Sequence, residues 1–253
     1  MSAFVELERR GQVHPQIQVV RRGHTRYLRF GRHGGWQGAL DLSRPWRPVF
    51  PYQRAFSTVV AATSGPDSFF CLGIGTGTAL RSVRRWWPNC RQVGVELDET
   101  VLELAFDFFD IPPTDEVRYY VGDGVSFLQS HPECYDLMFI DAYMRDRIYS
   151  PCLDPSFVSV IHQHLGERGT VALNIIMDFP LTGVVAEFLQ ALVVQFGEAA
   201  VLPVGFPGSE QNCLVVASRA PAFVQAWRRQ LAQHPCLSWY ERWLWPWRLK
   251  IFG

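Results

Sequence analysis

Residues 69–98, FFCLGIGTGTALRSVRRWWPNCRQVGVELD, decide the fold class of this chain. They open with the apolar run Phe69–Leu72, which passes directly into the glycine-rich turn Gly73-Ile-Gly75-Thr-Gly77. Apolar residues then recur at helical spacing, and a second, alternating stretch follows with Glu96 at its end. The order strand, glycine turn, helix and strand predicts the opening βαβ unit of a nucleotide-binding α/β domain.

The spacing of the glycines separates two classes of nucleotide ligand. A dinucleotide fingerprint counted from Gly73 needs glycine or alanine where Thr78 stands. Counted from Gly75, it needs one where Leu80 stands, so both registers fail. The pattern G-x-G-x-G with an acidic strand end instead resembles motifs I and II of the class I S-adenosylmethionine (SAM) fold, in which Glu96 would take the ribose hydroxyls. A glycine-rich turn in some other α/β protein is the alternative.

Composition limits the function classes. The chain has 253 residues, 48% of them hydrophobic, so it can bury one large core or a large domain plus a small one. Its 24 basic and 24 acidic residues cancel, which gives no general electrostatic case for nucleic acid as a partner. No apolar run is long enough to span a membrane, and the N-terminus does not look like a signal peptide. The six scattered cysteines indicate reduced thiols in a cytoplasmic protein, with no metal site.

Two regions are expected. Residues 1–50 contain short β-type runs separated by glycine-rich turns, which predict a small antiparallel β unit of two or three strands. Residues 51–253 are predicted to form a Rossmann-like, SAM-methyltransferase-type α/β domain that ends in an aromatic tail. Its first helix is expected at roughly 52–63.

The alternation of strand and helix patterns continues after the opening unit. It predicts a mostly parallel sheet with an antiparallel last strand. The predicted helices cover roughly 99–110, 125–130, 155–165 and 184–196, and the predicted strands cover 117–121, 135–140, 170–176, 200–204 and 212–218.

Candidate functional carboxylates recur after successive strands. Glu96, Asp123 and Asp141 each stand at the predicted carboxyl end of a strand. In a doubly wound sheet those ends line the ligand crevice, so we expect the three side chains to meet there. Any one of them alone could be an ordinary loop aspartate or glutamate.

Further motifs extend the resemblance to a family. Gly122-Asp-Gly124 and then YDLMFID, residues 135–141, look like the spermidine synthase (polyamine aminopropyltransferase) family. Gln37 in the small β unit and Pro51-Tyr-Gln53 at the first helix fit as well. The segment Asp141-Ala-Tyr-Met-Arg-Asp146 resembles the divergent branch of that family most closely, and the match covers roughly residues 15–176.

The resemblance implies a role for each matching residue. Asp141 would be the catalytic base and Tyr52 its helper, while Tyr143 and Asp146 would line the acceptor pocket. A SAM-type co-substrate would be held by Glu96 at the ribose, by Asp123 at the adenine amino group, and by the remaining matching residues: Gln37, Gly73, Gly75, Gly77 and Gly124.

Two departures from the family pattern leave undecided which group is transferred and which acceptor receives it. Thr76 replaces an aspartate that normally holds the amino end of the aminopropyl arm of decarboxylated SAM. Met144 replaces the aspartate that normally grips a diamine, and Asp146 would have to substitute for it.

The leading hypothesis is therefore aminopropyl transfer from decarboxylated SAM to a small amine acceptor. The rivals are methyl transfer from intact SAM to a small molecule, and a non-catalytic binding protein that kept the fold. The sequence leaves open whether the chain forms a homodimer. The Trp-rich tail, residues 239–252, is expected to fold against the domain or a partner subunit. Membrane contact is its alternative, which the lack of a clean amphipathic period through Pro246 disfavours.

Overall fold

The computed structural model describes residues 3–32, 34–144, 147–177, 182–205 and 211–253. Within these ranges the strands are β1 (Phe4–Arg9), β2 (Ile17–Arg22), β3 (Thr25–Phe30), β4 (Trp36–Asp41), β5 (Ser68–Leu72), β6 (Arg91–Glu96), β7 (Val117–Val121), β8 (Tyr135–Ile140), β9 (Tyr143–Met144), β10 (Arg147–Ile148), β11 (Leu165–Met177), β12 (Ala199–Pro203), β13 (Gln211–Ser218) and β14 (Lys250–Phe252). The helices are α1 (Pro51–Ala62), α2 (Thr78–Trp86), α3 (Glu99–Phe108), α4 (Gly124–Ser130), α5 (Pro155–Gln163), α6 (Gly183–Phe196), α7 (Phe223–Gln233) and α8 (Trp239–Arg248), and a 3-10 helix covers Ser150–Leu153.

The main sheet confirms the predicted fold class. Its strand order is β14-β12-β13-β11-β8-β5-β6-β7, and the neighbours from β7 to β11 are parallel. β13 runs antiparallel to β11, and β12 and β14 add further antiparallel pairs. β6 lies on one side of β5 and β8 on the other, so the order in which strands are added to the sheet reverses at β5. The carboxyl ends of β5, β6 and β8 therefore border a crevice of the kind in which α/β sheets bind ligands.

Helices cover both faces of this sheet. Alternate residues of β5 face opposite layers, so Phe69 and Cys71 pack with α1 and α2, while Phe70 and Leu72 pack with α4 and α5. All of β5 is buried, which explains why its sequence is a continuous apolar run. The core thus fixes the strand whose end carries the glycine turn.

The small N-terminal unit has more strands than the sequence predicted. It is a four-stranded antiparallel sheet in the order β1-β2-β3-β4, not two or three strands. None of the β1 residues is buried, so the strand lacks the apolar alternation that would have revealed it. Ile17 and Leu28 of this sheet pack on Leu104 of α3.

Asp98 ties this N-terminal sheet to the main domain. Its buried carboxylate accepts hydrogen bonds from the backbone N–H groups of Val13 and His14, both at 2.9 Å, and of Gln12 at 3.3 Å. It also caps α3 by accepting from the N–H of Thr100. Burial alone would raise the pKa of Asp98, but these bonds prevail and lower it. The carboxylate is therefore held ionised between the two parts of the chain.

The C-terminal segment is more regular than its sequence suggested. α7 was not predicted, and α8 continues through Pro246. A capping box between Ser238 and Glu241 starts α8, and the helix ends two residues after the proline. Trp245 is buried against the domain and β14 pairs with β12 at the edge of the main sheet.

No helix in the described part of the chain is both long and apolar enough to cross a lipid bilayer.

We expect Asp98→Ala to lower the free energy of unfolding by about 2–4 kcal/mol, because several N–H groups would lose their buried acceptor. Urea denaturation measures this loss. Asp154→Ala is the matched control, since Asp154 also caps a helix, α5, but is exposed and accepts only a local bond from Ser156. It should cost about 0.5–2 kcal/mol. Equal losses in the two variants would contradict the tie between the N-terminal sheet and the domain.

Candidate functional site

A cavity of about 630 Å³ opens at the carboxyl ends of the parallel strands. The N-terminal sheet and the start of α1 form its remaining walls. Most of the residues predicted to function line this one cavity: Gln37, Tyr52, Gly73, Gly75, Glu96, Asp123, Gly124, Asp141 and Tyr143. Gly77 is not among the lining residues, and Asp146 lies outside the described residues.

The glycine turn follows β5 and needs glycine for two different reasons. Gly73 has φ +85° and lies so close to the end of β8 that a Cβ there would stand 2.3 Å from the carbonyl oxygen of Asp141. Gly75 has φ +52°, and nothing lies within 4 Å of the position of its Cβ. Gly77 packs closely on Ile111, whose side chain a Cβ at Gly77 would meet. The turn thus presents bare backbone to the cavity.

Glu96 ends β6 and is hydrogen-bonded to this turn. One carboxylate oxygen accepts from the backbone N–H of Ile74 at 3.1 Å and of Gly75 at 3.0 Å. The other accepts from the N–H of Leu97 at 2.9 Å. Burial raises the pKa of Glu96, and these backbone bonds oppose the rise. The carboxylate is therefore fixed at the cavity wall by the turn itself.

Asp123 begins α4 and leaves one oxygen available to a ligand. Its Oδ1 accepts from the N–H of Ser126 at 2.7 Å. Its Oδ2 is buried, and no described donor meets it in good hydrogen-bond geometry. The Tyr149 hydroxyl lies close enough to interact with the carboxylate, and this contact is the main reason why the pKa of Tyr149 rises to about 12. Asp123 therefore keeps an oxygen that can accept from a ligand N–H group.

Asp141 follows β8 and is held by an amide. The Nδ2 of Asn174 donates to Asp141 Oδ1 at 2.8 Å, and the Tyr52 hydroxyl also bonds the carboxylate. Burial, with a smaller contribution from the charge of Glu96, raises the pKa of Asp141 to about 6, although both hydrogen bonds act to lower it. Asp141 can therefore exchange a proton near neutral pH.

The side-chain amide of Asn212 fixes the orientation of the Asn174 amide. The Nδ2 of Asn212 on β13 donates to the Oδ1 of Asn174 on β11 at 2.9 Å, which leaves the Asn174 NH₂ group facing Asp141. The Tyr143 hydroxyl donates to the backbone carbonyl oxygen of Asn174 at 3.0 Å. Sequence reasoning missed both asparagines. The available signal was Asn174 itself, a polar residue inside the apolar run of β11.

Tyr52 and Gln53 bring the start of α1 to the same point. Burial raises the pKa of Tyr52 well above its ordinary value, and the charge of Asp141 adds to the rise, so its hydroxyl stays protonated. Gln53 Nε2 lies 3.3 Å from the Tyr52 hydroxyl. Gln53 Oε1 is buried and has no hydrogen-bond partner in the described structure. Gln53, which the sequence analysis gave no role, therefore adds a buried acceptor to the residues that line the cavity.

The two positions that depart from the family pattern have different surroundings. Thr76 is 2% exposed, and Gly38 of β4 approaches it so closely that a Cβ on Gly38 would stand 2.5 Å from the Thr76 methyl group. Met144 is 38% exposed and lines the cavity. Both residues line the cavity, but Thr76 is packed under the N-terminal sheet, whereas the Met144 side chain is exposed.

The described lining of the cavity carries acidic side chains and no strongly basic ones. Its described lining includes three carboxylates, those of Glu96, Asp123 and Asp141, and no arginine or lysine. His14, stacked on Phe30 with ring centroids 3.6 Å apart, is the one histidine in that lining. Such a wall attracts cations. Across the described residues, no group of three or more metal-ligating side chains could hold a metal ion.

Comparisons with curated proteins agree with the sequence motifs. No protein-family model matches the chain. A probable polyamine aminopropyl transferase of Bifidobacterium longum is 29% identical over 183 residues, which cover 65% of this chain and 41% of that protein. A polyamine aminopropyltransferase of Chromobacterium violaceum is 22% identical over 161 residues, or 63% of this chain and 61% of that one. The match spans less than two thirds of the length of either relative.

Solved structures share the fold. A probable spermidine synthase from Corynebacterium glutamicum superposes with a TM-score of 0.75 at 20% identity, covering 93% of this chain and 88% of that one. Spermidine synthase in complex with the transition-state analogue AdoDATO gives 0.69 at 14% identity, covering 91% and 79%. Human methyltransferase-like protein 13 in complex with SAH gives 0.58 at 19% identity, covering 73% and 93%. The predicted resemblance to the spermidine synthase-like family, on a SAM-methyltransferase-type fold, is confirmed.

We expect Asn174→Ala to raise the pKa of Asp141 from about 6 by about one unit, because the lost bond to a charged group is worth roughly 1.5 kcal/mol. Titration of the carboxyl carbon of Asp141 by ¹³C NMR measures the shift, and loss of the signal in Asp141→Asn assigns it. Asn212→Ala should produce a smaller rise, since the Asn174 amide would remain but lose its fixed orientation. The exposed Asn89→Ala is the control. An unchanged Asp141 pKa in Asn174→Ala would contradict this account.

Proposed function

We propose that the chain transfers an aminopropyl group from decarboxylated SAM to a small amine acceptor. The observation that carries the proposal is the charge of the cavity, whose described lining has three carboxylates and no arginine or lysine. Decarboxylated SAM carries a sulfonium and an ammonium group, and an amine acceptor is also cationic before it reacts. Intact SAM adds a carboxylate, for which that lining offers no basic side-chain partner. The names of the curated relatives support the same reaction.

The co-substrate would lie along the ends of β5, β6 and β7. Gly73 and Gly75 would allow its close approach to the turn, and Glu96 would accept bonds from the ribose hydroxyls. The Oδ2 of Asp123 would accept from the adenine amino group, which would give this buried oxygen a donor in good geometry. Gln37 would contact the co-substrate from the N-terminal sheet.

Asp141 and Tyr52 would act on the acceptor. The amine must lose a proton before its nitrogen can form the new N–C bond, and Asp141 can take that proton because its pKa is about 6. The protonated Tyr52 hydroxyl would orient the nitrogen. As the N–C bond forms, the C–S bond breaks and its electron pair stays on sulfur, which leaves methylthioadenosine. The protein therefore contributes alignment and one base, since the sulfonium is already activated.

Methyl transfer from intact SAM is the second candidate, and Thr76 favours it. The aspartate expected at this position for the aminopropyl arm is absent, and Thr76 is buried beneath Gly38. Asp141 would serve as base in either reaction. The identity of the transferred group, the acceptor, a homodimer and a cytoplasmic location all stay predictions.

Calorimetry with decarboxylated SAM, SAM and methylthioadenosine tests the ligand class. We expect decarboxylated SAM to bind at least about tenfold more tightly than SAM, because an unpaired carboxylate near three others costs more than 1.4 kcal/mol. Glu96→Ala should weaken binding of all three by about 1–3 kcal/mol. Glu103→Ala, an exposed site on α3, is the control. Tighter binding of SAM would favour methyl transfer, and no binding of any of the three would refute both reactions.

Asp141→Asn tests the base, with product formation followed across a panel of primary amines that begins with putrescine. We expect a loss of about 10²–10⁴-fold in rate with little change in affinity for the co-substrate. In the wild type the rate should rise as pH increases through about 6, because the carboxyl must lose its own proton before it can accept one. The exposed Asp107→Asn is the control. An Asp141→Asn enzyme that turns over at the wild-type rate would rule out the base.

A further inference from the structure

Helix α8 presents a stripe of tryptophans to solvent. Trp239, Trp243 and Trp247 follow one another at intervals of four residues and are 77%, 68% and 83% exposed. At 100° per residue this spacing places the three side chains on one face of the helix. Tyr240, 49% exposed, lies beside them. An exposed stripe of this size is unusual for a protein surface without a partner.

The stripe is not the face by which α8 packs on the domain. The opposite side of α8 carries Glu241 and Trp245, which are both buried against the domain. Glu241 accepts hydrogen bonds from the buried Arg54 on α1, at 3.0 Å from Nε to Oε1. The helix is therefore anchored by one face, and that anchoring holds the tryptophans outward.

The C-terminal segment that contains the stripe carries an excess of basic residues. Residues 221–253 contain five basic residues, Arg228, Arg229, Arg242, Arg248 and Lys250, and one acidic residue, Glu241. The acidic residue is buried on Arg54, so it does not offset the charge at the surface. Arg242 lies on the exposed side of α8, and Lys250 follows the helix in β14. The whole chain has no net charge, so the excess is specific to this segment.

We propose that the exposed face of α8 docks on an anionic lipid surface. Tryptophan is the side chain enriched at the depth of lipid headgroups, and basic residues next to it are attracted to anionic lipids. The three rings project from a convex helix, which suits a layer that can deform around them. A second copy of this chain fits less well. A two-fold contact would bring the basic residues of the two copies together, and residues 221–253 offer no exposed carboxylate to pair with them.

Vesicle binding tests the proposal, which does not depend on the catalytic one. The full chain is mixed with vesicles of equimolar phosphatidylglycerol and phosphatidylcholine, or of phosphatidylcholine alone, and bound protein is separated by flotation. We expect at least about tenfold stronger binding to the anionic vesicles, and loss of that preference at high salt. Brominated lipids should quench tryptophan fluorescence in the wild type, which reports insertion without any substitution.

Two sets of variants identify the surface. Trp239→Ser combined with Trp243→Ser and Trp247→Ser should reduce anionic-vesicle binding by roughly tenfold or more. Val194→Ser, at a 74% exposed apolar site on α6, is the control. Arg242→Gln combined with Lys250→Gln should weaken the salt-sensitive part of binding, with the exposed Arg168→Gln as its control. Circular dichroism shows whether each variant keeps the fold.

Three results would overturn the proposal. One is failure of the wild type to bind anionic vesicles or to be quenched by brominated lipids. Another is binding that the triple tryptophan variant retains in full while folded. The third is a concentration-dependent dimer that the triple variant abolishes, without vesicle binding, which would make this face an interface between copies.

Discussion

The absence of a side chain at Gly73 holds the candidate site together. Any Cβ there would collide with the carbonyl oxygen of Asp141, 2.3 Å away. The end of β5 and the end of β8 can touch only because of this glycine, and its positive φ turns the chain away at the same point. Glu96 then accepts from the two following N–H groups of the turn. The proposed ribose acceptor and the proposed base are therefore parts of one hydrogen-bonded backbone arrangement.

The sequence predicted the main sheet because buried parallel strands carry a simple signature. β5 and β8 are continuous apolar runs, and the helices between strands show apolar faces at helical spacing. The elements that it missed lack such signatures. β1 has no buried residue, and α8 exposes tryptophan on one side and buries it on the other, so hydrophobicity does not vary around the helix as it would in an ordinary surface helix.

The candidate site was predictable to the extent that it follows strand ends. Glu96, Asp123 and Asp141 stand at or just after the carboxyl ends of parallel strands, and geometry brings such positions to one edge of a sheet. The pairing of Asn174 with Asn212 was not predictable in this way. It depends on the antiparallel register of β11 and β13, which pairs Asn174 with Leu214 and thereby brings Asn212, two residues before Leu214, within reach of the Asn174 side chain. The burial of Thr76 likewise depends on how closely Gly38 of the N-terminal sheet approaches, a tertiary contact that no local pattern encodes.

The Arg54–Glu241 ion pair has a consequence for the order in which the chain can fold. Arg54 lies two residues after Tyr52, and its partner is 187 positions further along the chain. Both side chains are almost fully buried, and a buried charge without its partner is strongly unfavourable. During synthesis, the beginning of α1 therefore cannot reach its final environment until residue 241 has emerged from the ribosome. The cavity wall formed by α1 is therefore completed only after a segment 187 positions further along the chain has been made, later than the glycine turn and the three carboxylates.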